Sequence, residues 1–225
     1  MINSEQQVVS QIGPSKAQVG IKEKPVQYAL VIKRALDVIG SAVILILLFP
    51  SLTLLTLLVA VVDGLPVIYR RRVVGTNGEF DAFKFRTMKP NADAILMDDL
   101  VLRAEFERNF KLKNDPRVTR LGAFLRKFSL DELPQLFNVF LGQMSLVGPR
   151  MITASELEKY GPHKSLILSV KPGLTGYWQV SGRQNVSYDE RVKMDVYYIH
   201  HWHLLLDLKI LLLTPFKVMK REGAF

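Results

Sequence analysis

The sequence predicts a mainly α-helical fold with a small β-hairpin or sheet, attached to a membrane by a re-entrant helical hairpin. Three observations lead to this prediction: a long uncharged segment near the start of the chain, an Asn-Gly turn between β-rich runs, and repeated helix-capping patterns. The 225 residues suffice for one ordinary domain and an appendage.

Composition narrows the class of protein. The chain has 30 Lys and Arg against 21 Asp and Glu, a net charge of +9, and its mean hydropathy is +0.14. Its apolar content excludes a disordered chain. It has no Cys, which excludes a disulfide scaffold, a thiolate metal site and a Cys nucleophile. High charge and positive hydropathy together imply that basic and apolar residues occupy different parts of the molecule.

The first 65 residues divide into a tail and an apolar segment. Residues 1–28 are polar, contain Pro14 and Pro25 and lack a sustained hydrophobic period, which predicts a flexible N-terminal tail. Val38–Val62 then runs for 25 residues without a charge, long enough for a membrane segment and without the polar stripe of a core helix. It begins too late and is too long for a cleaved secretory signal.

Pro50 lies at the centre of this apolar segment and predicts a break, because proline removes a helical hydrogen bond and clashes with the preceding turn. Basic residues flank both ends, Lys33-Arg34 before it and Arg70–Arg72 after it. Positive residues favour the cytoplasmic side of a membrane, and only a helix-break-helix hairpin keeps both clusters there. We therefore expect a re-entrant membrane hairpin over residues 29–65 and a cytosolic, membrane-associated domain over residues 66–225.

Local patterns predict the remaining secondary structure. Two β-rich runs within residues 66–87 flank Thr76-Asn77-Gly78 and predict a hairpin. Residues 171–176 (KPGLTG) have the composition of a turn, so only one small sheet is expected. Helical patterns and capping boxes predict helices over residues 91–112, 119–127 and 133–141, and directly after Thr153 and Ser187.

The C-terminal stretch His200–Phe225 is apolar but is interrupted by Asp207, Lys209 and Lys217, so it is not expected to span a membrane. Trp202 and a Leu-rich face are typical of an amphipathic helix that lies in the headgroup region. A helix packed on the globular core would show the same pattern, and the sequence leaves both interpretations open.

The positive charge is concentrated in two stretches. Residues 66–90 contain six basic and two acidic side chains, and residues 111–127 contain six basic and one acidic, which accounts for the whole net charge. Nucleic acid, an anionic membrane surface and a phosphorylated substrate can all bind such a surface. The neighbouring apolar segment favours the last two, so no nucleic-acid partner is predicted.

Asp131 and Glu132 are adjacent carboxylates directly behind the second basic stretch. One interpretation is structural, since Ser129 to Glu132 fits a helix capping box whose acids complement the helix dipole. The other is phosphoryl chemistry, in which one carboxylate attacks phosphorus and its neighbour holds Mg²⁺. Arginines that could neutralise the approach of two anions are available at Arg126 and Arg150.

Eight motifs follow one another along the chain: Lys33-Arg34 with Asp37, the apolar segment around Pro50, Arg72-x-x-Gly75-x-x-Gly78, KFRTM at 84–88, DPRVT at 115–119, SLDELPQ at 129–135, MSLVGPR at 144–150, and PGLTG at 172–176 with Gln179 and Gly182-Arg183. In this order they closely resemble the bacterial sugar transferases, the monotopic polyprenyl-phosphate phosphoglycosyl transferases. The resemblance covers residues 29–225 and is closest to the compact, exopolysaccharide-initiating members.

The resemblance implies that a UDP-sugar donates its sugar-1-phosphate to undecaprenyl phosphate and that UMP is released. It implies that Asp131 is the nucleophile and forms a covalent phosphosugar intermediate, and that Glu132 binds a Mg²⁺ cofactor. Substrate-phosphate binding is assigned by the same resemblance to Arg126, Arg150, Lys84, Arg86 and Arg72. Gln179 and Arg183 follow the PGLTG turn. Each is a candidate for contact with the nucleotide sugar or for a structural role in the loop.

The resemblance also implies a location and partners. These are the bacterial inner (cytoplasmic) membrane, with the catalytic domain on the cytoplasmic face, and membrane lipid. Galactose or glucose is favoured as the sugar, and a homo-oligomer is left open. Two departures stand out, because Pro50-Ser51 replaces the usual Ser-Pro and Met151 replaces the last proline of Gly-Pro-Arg-Pro. A glycosyltransferase that passes only the sugar and a membrane scaffold without activity are the alternative functions.

Overall fold

The computed structural model describes residues 23–109, 112, 114–181 and 186–219. Its longest element is helix α1, Glu23–Val62, a single helix of 40 residues with Pro50 inside it. The helix begins within the segment predicted as a tail, and residues 1–22 of that tail lie outside the described residues. The last 25 residues of the helix are the apolar segment Val38–Val62 identified in the sequence.

Pro50 does not end α1, because a proline withdraws only its own backbone donor while the turns on either side stay bonded. The hydroxyls of Thr53 and Thr56 donate to the carbonyls of Phe49 and Leu52 at 2.9 and 2.8 Å, so these polar groups are satisfied without water. The predicted division into two separate helices is therefore not observed.

The segment Tyr28–Val62 is long and apolar enough to cross a membrane. Only 6% of its most apolar 18-residue stretch is buried against protein, whereas the core helix of a soluble domain would be mostly buried. Leu47 and Phe49, for example, are about 70% exposed (72% and 68%). An uncovered apolar surface of this length indicates association with a membrane.

Both ends of α1 are bonded to the globular part of the chain. Near its start, Lys33 Nζ donates to the carbonyl of Val147 at 2.9 Å. Directly after its end, the carboxylate of Asp63 accepts a 2.8 Å hydrogen bond from the hydroxyl of Thr119. Between these bonds one side of the helix also packs on the globular part, through buried residues such as Ser41, Leu52 and Val59.

The predicted β-hairpin is confirmed. Strands β1 (Ile68–Gly75) and β2 (Gly78–Phe85) pair antiparallel in full register. The turn is Thr76-Asn77, and Gly78 has φ +98°, a left-handed conformation that glycine adopts without a steric penalty. Strand β2 ends at Phe85, within the KFRTM motif, so Lys84 lies at the end of the strand.

Most predicted helices are present with small shifts in their bounds, but the single helix predicted over residues 91–112 is divided in two at Asp99, whose backbone is extended. Residues 110 and 111 of that prediction lie outside the described residues. The capping boxes at Thr153 and Ser187 both form, and Thr119 caps the helix that follows it. The helices after the hairpin are α2 (Ala92–Asp98), α3 (Leu100–Asn109), α4 (Arg120–Lys127), α5 (Gln135–Leu141), α6 (Ala154–Leu157), α7 (Lys164–Leu168), α8 (Tyr177–Ser181), α9 (Tyr188–His200) and α10 (Leu204–Met219), with 3-10 turns at Leu130–Glu132 and Glu158–His163.

The expectation of only one small sheet is wrong. Gly173–Thr175, within the segment predicted as a turn, forms strand β4 and pairs in parallel with β3 (Ser145–Val147). Parallel pairing of two three-residue strands from distant segments leaves no local periodic signal. The approach is very close, since a Cβ at Gly173 would lie 2.1 Å from the backbone nitrogen of Gly148.

The main core lies beneath this second sheet. It joins α5, β3, the hairpin, α9 and α10 through residues such as Leu136, Met144 and Tyr198. Helix α10 buries Asp207 and Ile210 against it and leaves Leu205, Leu212 and Phe216 between 62% and 73% exposed. The interpretation of α10 as a helix packed on the core applies to its buried face, and its exposed apolar face leaves a position in the headgroup region as a prediction. Residues 220–225 lie outside the described residues.

Candidate active site

Asp131 is presented by a tight connection between α4 and α5. Ser129 has φ 55°, the one non-glycine residue with positive φ in the described part of the chain, and the 3-10 turn Leu130–Glu132 follows it. The capping box suggested at Ser129 does not form, because its left-handed backbone differs from the extended geometry of an N-cap. Residues in this strained conformation concentrate at functional sites.

The two carboxylates share one lysine. Lys84 Nζ lies 2.7 Å from Glu132 Oε1 and 3.9 Å from Asp131 Oδ2. The side chains of Lys84 and Asp131 are 14% and 10% exposed, and that of Glu132 is 26% exposed. Lys84 thus hydrogen-bonds Glu132 directly and acts on Asp131 mainly through its charge.

The same arrangement separates the acidities of the two groups. Burial raises the pKa of Asp131 and the charge of Glu132 adds to this, while Lys84 and Arg126 oppose it. Burial also acts to raise the pKa of Glu132, but Lys84 and then Arg150 outweigh it, so that pKa is lowered. Two neighbouring carboxylates with opposite pKa shifts are typical of a site in which they have different roles.

Arg126 reaches the pair from the last turn of α4. Its Nε donates to the hydroxyl of Thr87 at 2.9 Å, which fixes the guanidinium beside the KFRTM segment. Burial lowers the pKa of Arg126, and Asp131 acts in the opposite direction. Arg126 also lines a cleft of about 430 Å³ together with residues such as Asp115 and Thr119, which gives an anion room beside it.

Arg150 lies three residues after the end of β3. A bridge between Arg150 and Gly173 holds its backbone against β4. Its guanidinium lies 5.3 Å from the ring centre of Trp178. Because the positive charge of Arg150 lowers the pKa of Glu132, the structure brings Arg150 and Lys84 into one electrostatic environment with the two carboxylates.

Three of the other predicted phosphate-binding or nucleotide-binding residues have different contacts. Arg86 is buried and donates to the carbonyls of Asp63 and Gly64, the second at 2.7 Å, where α1 ends. Arg72 is exposed and pairs with acidic side chains of the hairpin, Glu79 and Asp81. Gln179 donates a long 3.4 Å bond to the carbonyl of Leu174. Arg183 lies outside the described residues.

Arg71 entered the sequence analysis only as part of the basic cluster after the apolar segment, and the structure gives it an internal partner. Its guanidinium lies 2.8 Å from the carboxylate of Glu156, which is only 2% exposed. Its charge also contributes to the low pKa of Glu132. Alternation along β1 could have indicated that Arg71 points away from its neighbours, but its partner lies 85 residues further along the chain.

A magnesium ion can be tested against the donors at this site. Among the described residues there is no group of three or more His, Cys, Asp or Glu side chains that could hold a metal alone. Mg²⁺ is commonly bound by one or two carboxylates together with substrate phosphates and water. Asp131 and Glu132 fit that mode, provided that Glu132 exchanges its bond with Lys84 for the metal.

Known proteins share this sequence over most of its length. A family model described as bacterial sugar transferase matches residues 28–221. The "Undecaprenyl-phosphate galactose phosphotransferase" of Salmonella typhimurium is 48% identical over 199 residues, and the "UDP-galactose-lipid carrier transferase" of Erwinia amylovora is 46% identical over 198. Both alignments cover 86% of the chain and 42% of the relative, so the chain spans less than half the length of these relatives.

A shorter relative matches nearly end to end. The "Exopolysaccharide production protein ExoY" of Rhizobium meliloti is 44% identical over 198 residues, which cover 86% of the chain and 88% of the relative. The family model, over residues 28–221, includes most of α1, the hairpin, the carboxylate pair and the β3–β4 region. By this agreement over most of its length, the chain belongs to the bacterial sugar transferase family.

Proposed function

We propose that this chain transfers a sugar-1-phosphate from a UDP-sugar to undecaprenyl phosphate, releasing UMP, in the first membrane step of exopolysaccharide synthesis. The observation that carries the proposal is the pair of buried Asp131 and half-buried Glu132, on which the charges of Lys84, Arg126 and Arg150 act. The relatives in Salmonella typhimurium and Erwinia amylovora are both named for galactose, and one name includes transfer to a lipid carrier. Galactose is therefore the first sugar to test, with glucose second.

The chemistry would proceed in two displacements. An oxygen of the Asp131 carboxylate attacks the phosphorus that carries the sugar, a phosphorus–oxygen bond forms, and the bond to the bridging oxygen breaks so that UMP leaves. A phosphate oxygen of the lipid then attacks the same phosphorus and returns Asp131 to a free carboxylate. The raised pKa of Asp131 favours this role, since the carboxylate is poorly stabilised by its surroundings before the attack.

The cations near the pair would counter the repulsion between carboxylate and phosphate. Arg126 is held in place by Thr87, so it does not have to be ordered during the reaction. Lys84, which is bound by Glu132 in the structure, would become free to face the phosphate when Glu132 takes the metal. Glu132, ionised because of its low pKa, is the residue that would hold Mg²⁺. When bound, the ion would neutralise phosphate charge next to Asp131.

The membrane attachment belongs to the same proposal. Helix α1 enters the hydrocarbon from the cytoplasmic face of the inner membrane and returns to that face, so that residues 66–225 remain cytosolic. Two facts support this path: the surface of α1 is uncovered and apolar, and Lys33 and Asp63, near its two ends, both bond to the globular part. A straight helix between these two residues would be about 45 Å long, more than the thickness of the hydrocarbon core. A helix that crossed the membrane would therefore place the two residues on opposite sides, where they could not both bond to one globular part.

Product analysis tests the proposed reaction. The full chain in membranes or nanodiscs is incubated with undecaprenyl phosphate and UDP-galactose or UDP-glucose, and the released nucleotide is identified. UMP supports the proposal, and UDP would instead indicate a glycosyltransferase that passes only the sugar. With sugar-phosphate-labelled donor, the wild-type chain should acquire a covalent label that Asp131→Asn lacks.

Asp98→Asn is a matched control, because it changes an exposed aspartate in α2. It should leave both the label and the UMP release unchanged. If Asp131→Asn releases UMP at a near-native rate, Asp131 is not the nucleophile. If exopolysaccharide is made equally well by cells that carry this variant, the scaffold alternative accounts for the protein.

A further inference from the structure

Two arginines from distant segments share one aromatic ring. The guanidinium carbon of Arg191, in the first turn of α9, lies 4.5 Å from the ring centre of Trp178, and that of Arg150 lies 5.3 Å from it. Arg191 also lies 5.1 Å from the ring centre of Tyr188. Trp178 itself is buried, at 4% exposure, so the platform beneath the two cations is fixed by the core.

Neither guanidinium is matched by a protein anion. Within the described part of the chain, Arg150 and Arg191 make no side-chain hydrogen bond and no ion pair, and the Nε atom of each is buried without a partner. Five of the eight buried side-chain nitrogen or oxygen atoms that lack a partner in this part of the chain belong to this region: Arg150 Nε, Trp178 Nε1, Gln179 Oε1, Arg191 Nε and Asp195 Oδ1.

The carboxylate of Asp195 acts on both guanidinium groups through its charge but forms no ion pair with either. Asp195 is fully buried, accepts a 2.8 Å hydrogen bond from the hydroxyl of Tyr160, and burial raises its pKa to about 7. Burial is also the main factor that lowers the pKa of Arg191, and the like charge of Arg150 lowers it further. Cations that are partly removed from water and lack a counter-ion are unfavourable unless a ligand supplies the negative charge.

We propose that Arg191 and Arg150, held against Trp178, form a binding site for a phosphoryl anion next to the Asp131–Glu132 pair. The position follows from Arg150, whose charge acts on Glu132. The chemistry follows from two guanidinium groups, which bind phosphate oxygens through paired N–H donors. That the anion is a substrate phosphate, from the nucleotide sugar or from the lipid, rests on the proposed function.

Arg191 extends the site beyond the sequence motifs. It lies outside all eight of them and reaches Trp178 only because α9 packs on α8. Its role is to hold the phosphate while Asp131 acts on it, so Arg191 would contribute to substrate affinity and less to the chemical step.

The test compares Arg191→Met with Arg191→Lys, which keeps the charge, and with Lys193→Met, an exposed cation on the same helix. Each is made in the full chain carrying Asp131→Asn, which prevents turnover, and UMP, UDP-galactose and uridine are titrated calorimetrically. Arg191→Met should weaken UMP and UDP-galactose binding by about tenfold to a hundredfold, Arg191→Lys should recover part of the loss, and Lys193→Met should bind as the parent does.

Uridine separates a phosphate site from a general change in shape, because it lacks the phosphate. An equal loss of uridine binding, or a lowered melting temperature that Arg191→Lys shares, would make Arg191 structural and overturn the inference. The lipid is examined in nanodiscs, in an otherwise wild-type chain, through the KM for undecaprenyl phosphate. A raised KM for the lipid alone assigns the site to the lipid phosphate, and unchanged affinity for all of these ligands overturns it.

The two proposals fail separately. If Arg191→Met weakens UMP binding but the wild-type chain releases no UMP from any UDP-sugar, the anion site stands and the proposed function falls. If UMP is released and Arg191→Met binds every ligand as the parent does, the proposed function stands and the anion site falls.

Discussion

The ammonium group of Lys84 lies 2.7 Å from Glu132 and 3.9 Å from Asp131, so one cation hydrogen-bonds the first carboxylate and pairs with the second only at a longer distance. The pair is thereby asymmetric, with the pKa of Glu132 lowered and that of Asp131 raised. In the proposed reaction, this asymmetry would suit Glu132 to hold the ion and Asp131 to attack the phosphorus.

Replacing Lys84 by Met should therefore shift the acid limb of the pH–activity profile and also lower the maximal activity. Without the lysine charge, the pKa of Asp131 rises further and the acid limb of kcat/KM moves to higher pH. The maximal rate should fall by about a hundredfold, a usual loss for one preorganised electrostatic group. A pH–rate profile of UMP release measures both effects. Lys84→Arg keeps the charge and should keep the limb, and an unmoved limb in Lys84→Met would contradict this account of Asp131.

Asp195 should make stability fall as the pH rises. Its pKa is 3.8 in an ordinary environment and about 7 when buried here. Between these values the folded protein keeps a proton that the unfolded chain has lost, so unfolding becomes easier with increasing pH and the effect levels off above about 7. Asp195→Asn keeps an acceptor for Tyr160 and should remove this slope.

The measurement is the free energy of unfolding of the wild type and of Asp195→Asn between about pH 4.5 and 8. The difference between them should grow by at least about 1.4 kcal/mol, the equivalent of one pKa unit, with Asn the more stable at high pH. Asp189→Asn, an exposed substitution on the same helix, is the control and should follow the wild type. Parallel curves for the wild type and Asp195→Asn would show that Asp195 does not titrate in this range.

Local signals in the sequence were sufficient for much of this fold. The hairpin at Asn77-Gly78 and the capping boxes at Thr153 and Ser187 formed as predicted, because each depends on a few neighbouring residues. The SLDELPQ motif identified the carboxylate pair, and its partner Lys84 was also identified by a motif. Each of these residues lies in a motif of five to seven consecutive residues, so it can be recognised without knowledge of the fold.

Non-local packing accounts for what the sequence did not reveal. The pairing of β3 with β4 depends on the close approach of Gly148 and Gly173, which no periodic pattern signals. Arg86 resembles a phosphate ligand in its motif, yet it bonds the carbonyls after α1. Arg191 joins the site through Trp178, on a different helix, so its place could be found only once the helices were packed together.

Ser129 should tolerate glycine better than any branched residue. Its φ of 55° costs an L-residue about 1–2 kcal/mol, and glycine adopts it freely. Ser129→Gly should keep the position of Asp131, retain most of the UMP release and raise the melting temperature or leave it unchanged. Ser129→Val adds a β-branch, so it should lower both activity and the free energy of unfolding. If valine were as active and as stable as serine, the left-handed turn would not be what positions Asp131.

The absence of cysteine allows the path of α1 to be tested by labelling without a background reaction. Tyr28→Cys and Leu65→Cys place a thiol near the start of the apolar segment and beyond its end, where the native side chains are 69% and 78% exposed. If α1 re-enters, both thiols lie on the cytoplasmic side. A membrane-impermeant maleimide should then react with them in inverted vesicles and fail to react in intact spheroplasts.

Asp98→Cys, on an exposed helix of the globular part, marks the side that this part occupies and is the reference for both thiols. A straight span requires Tyr28→Cys and Leu65→Cys to react from opposite sides, because about 35 helical residues exceed the hydrocarbon thickness. Opposite reactivity would contradict the re-entrant path. It would also require the bonds of Lys33 to Val147 and of Asp63 to Thr119 to exist on two sides of one membrane, which the single globular part cannot satisfy.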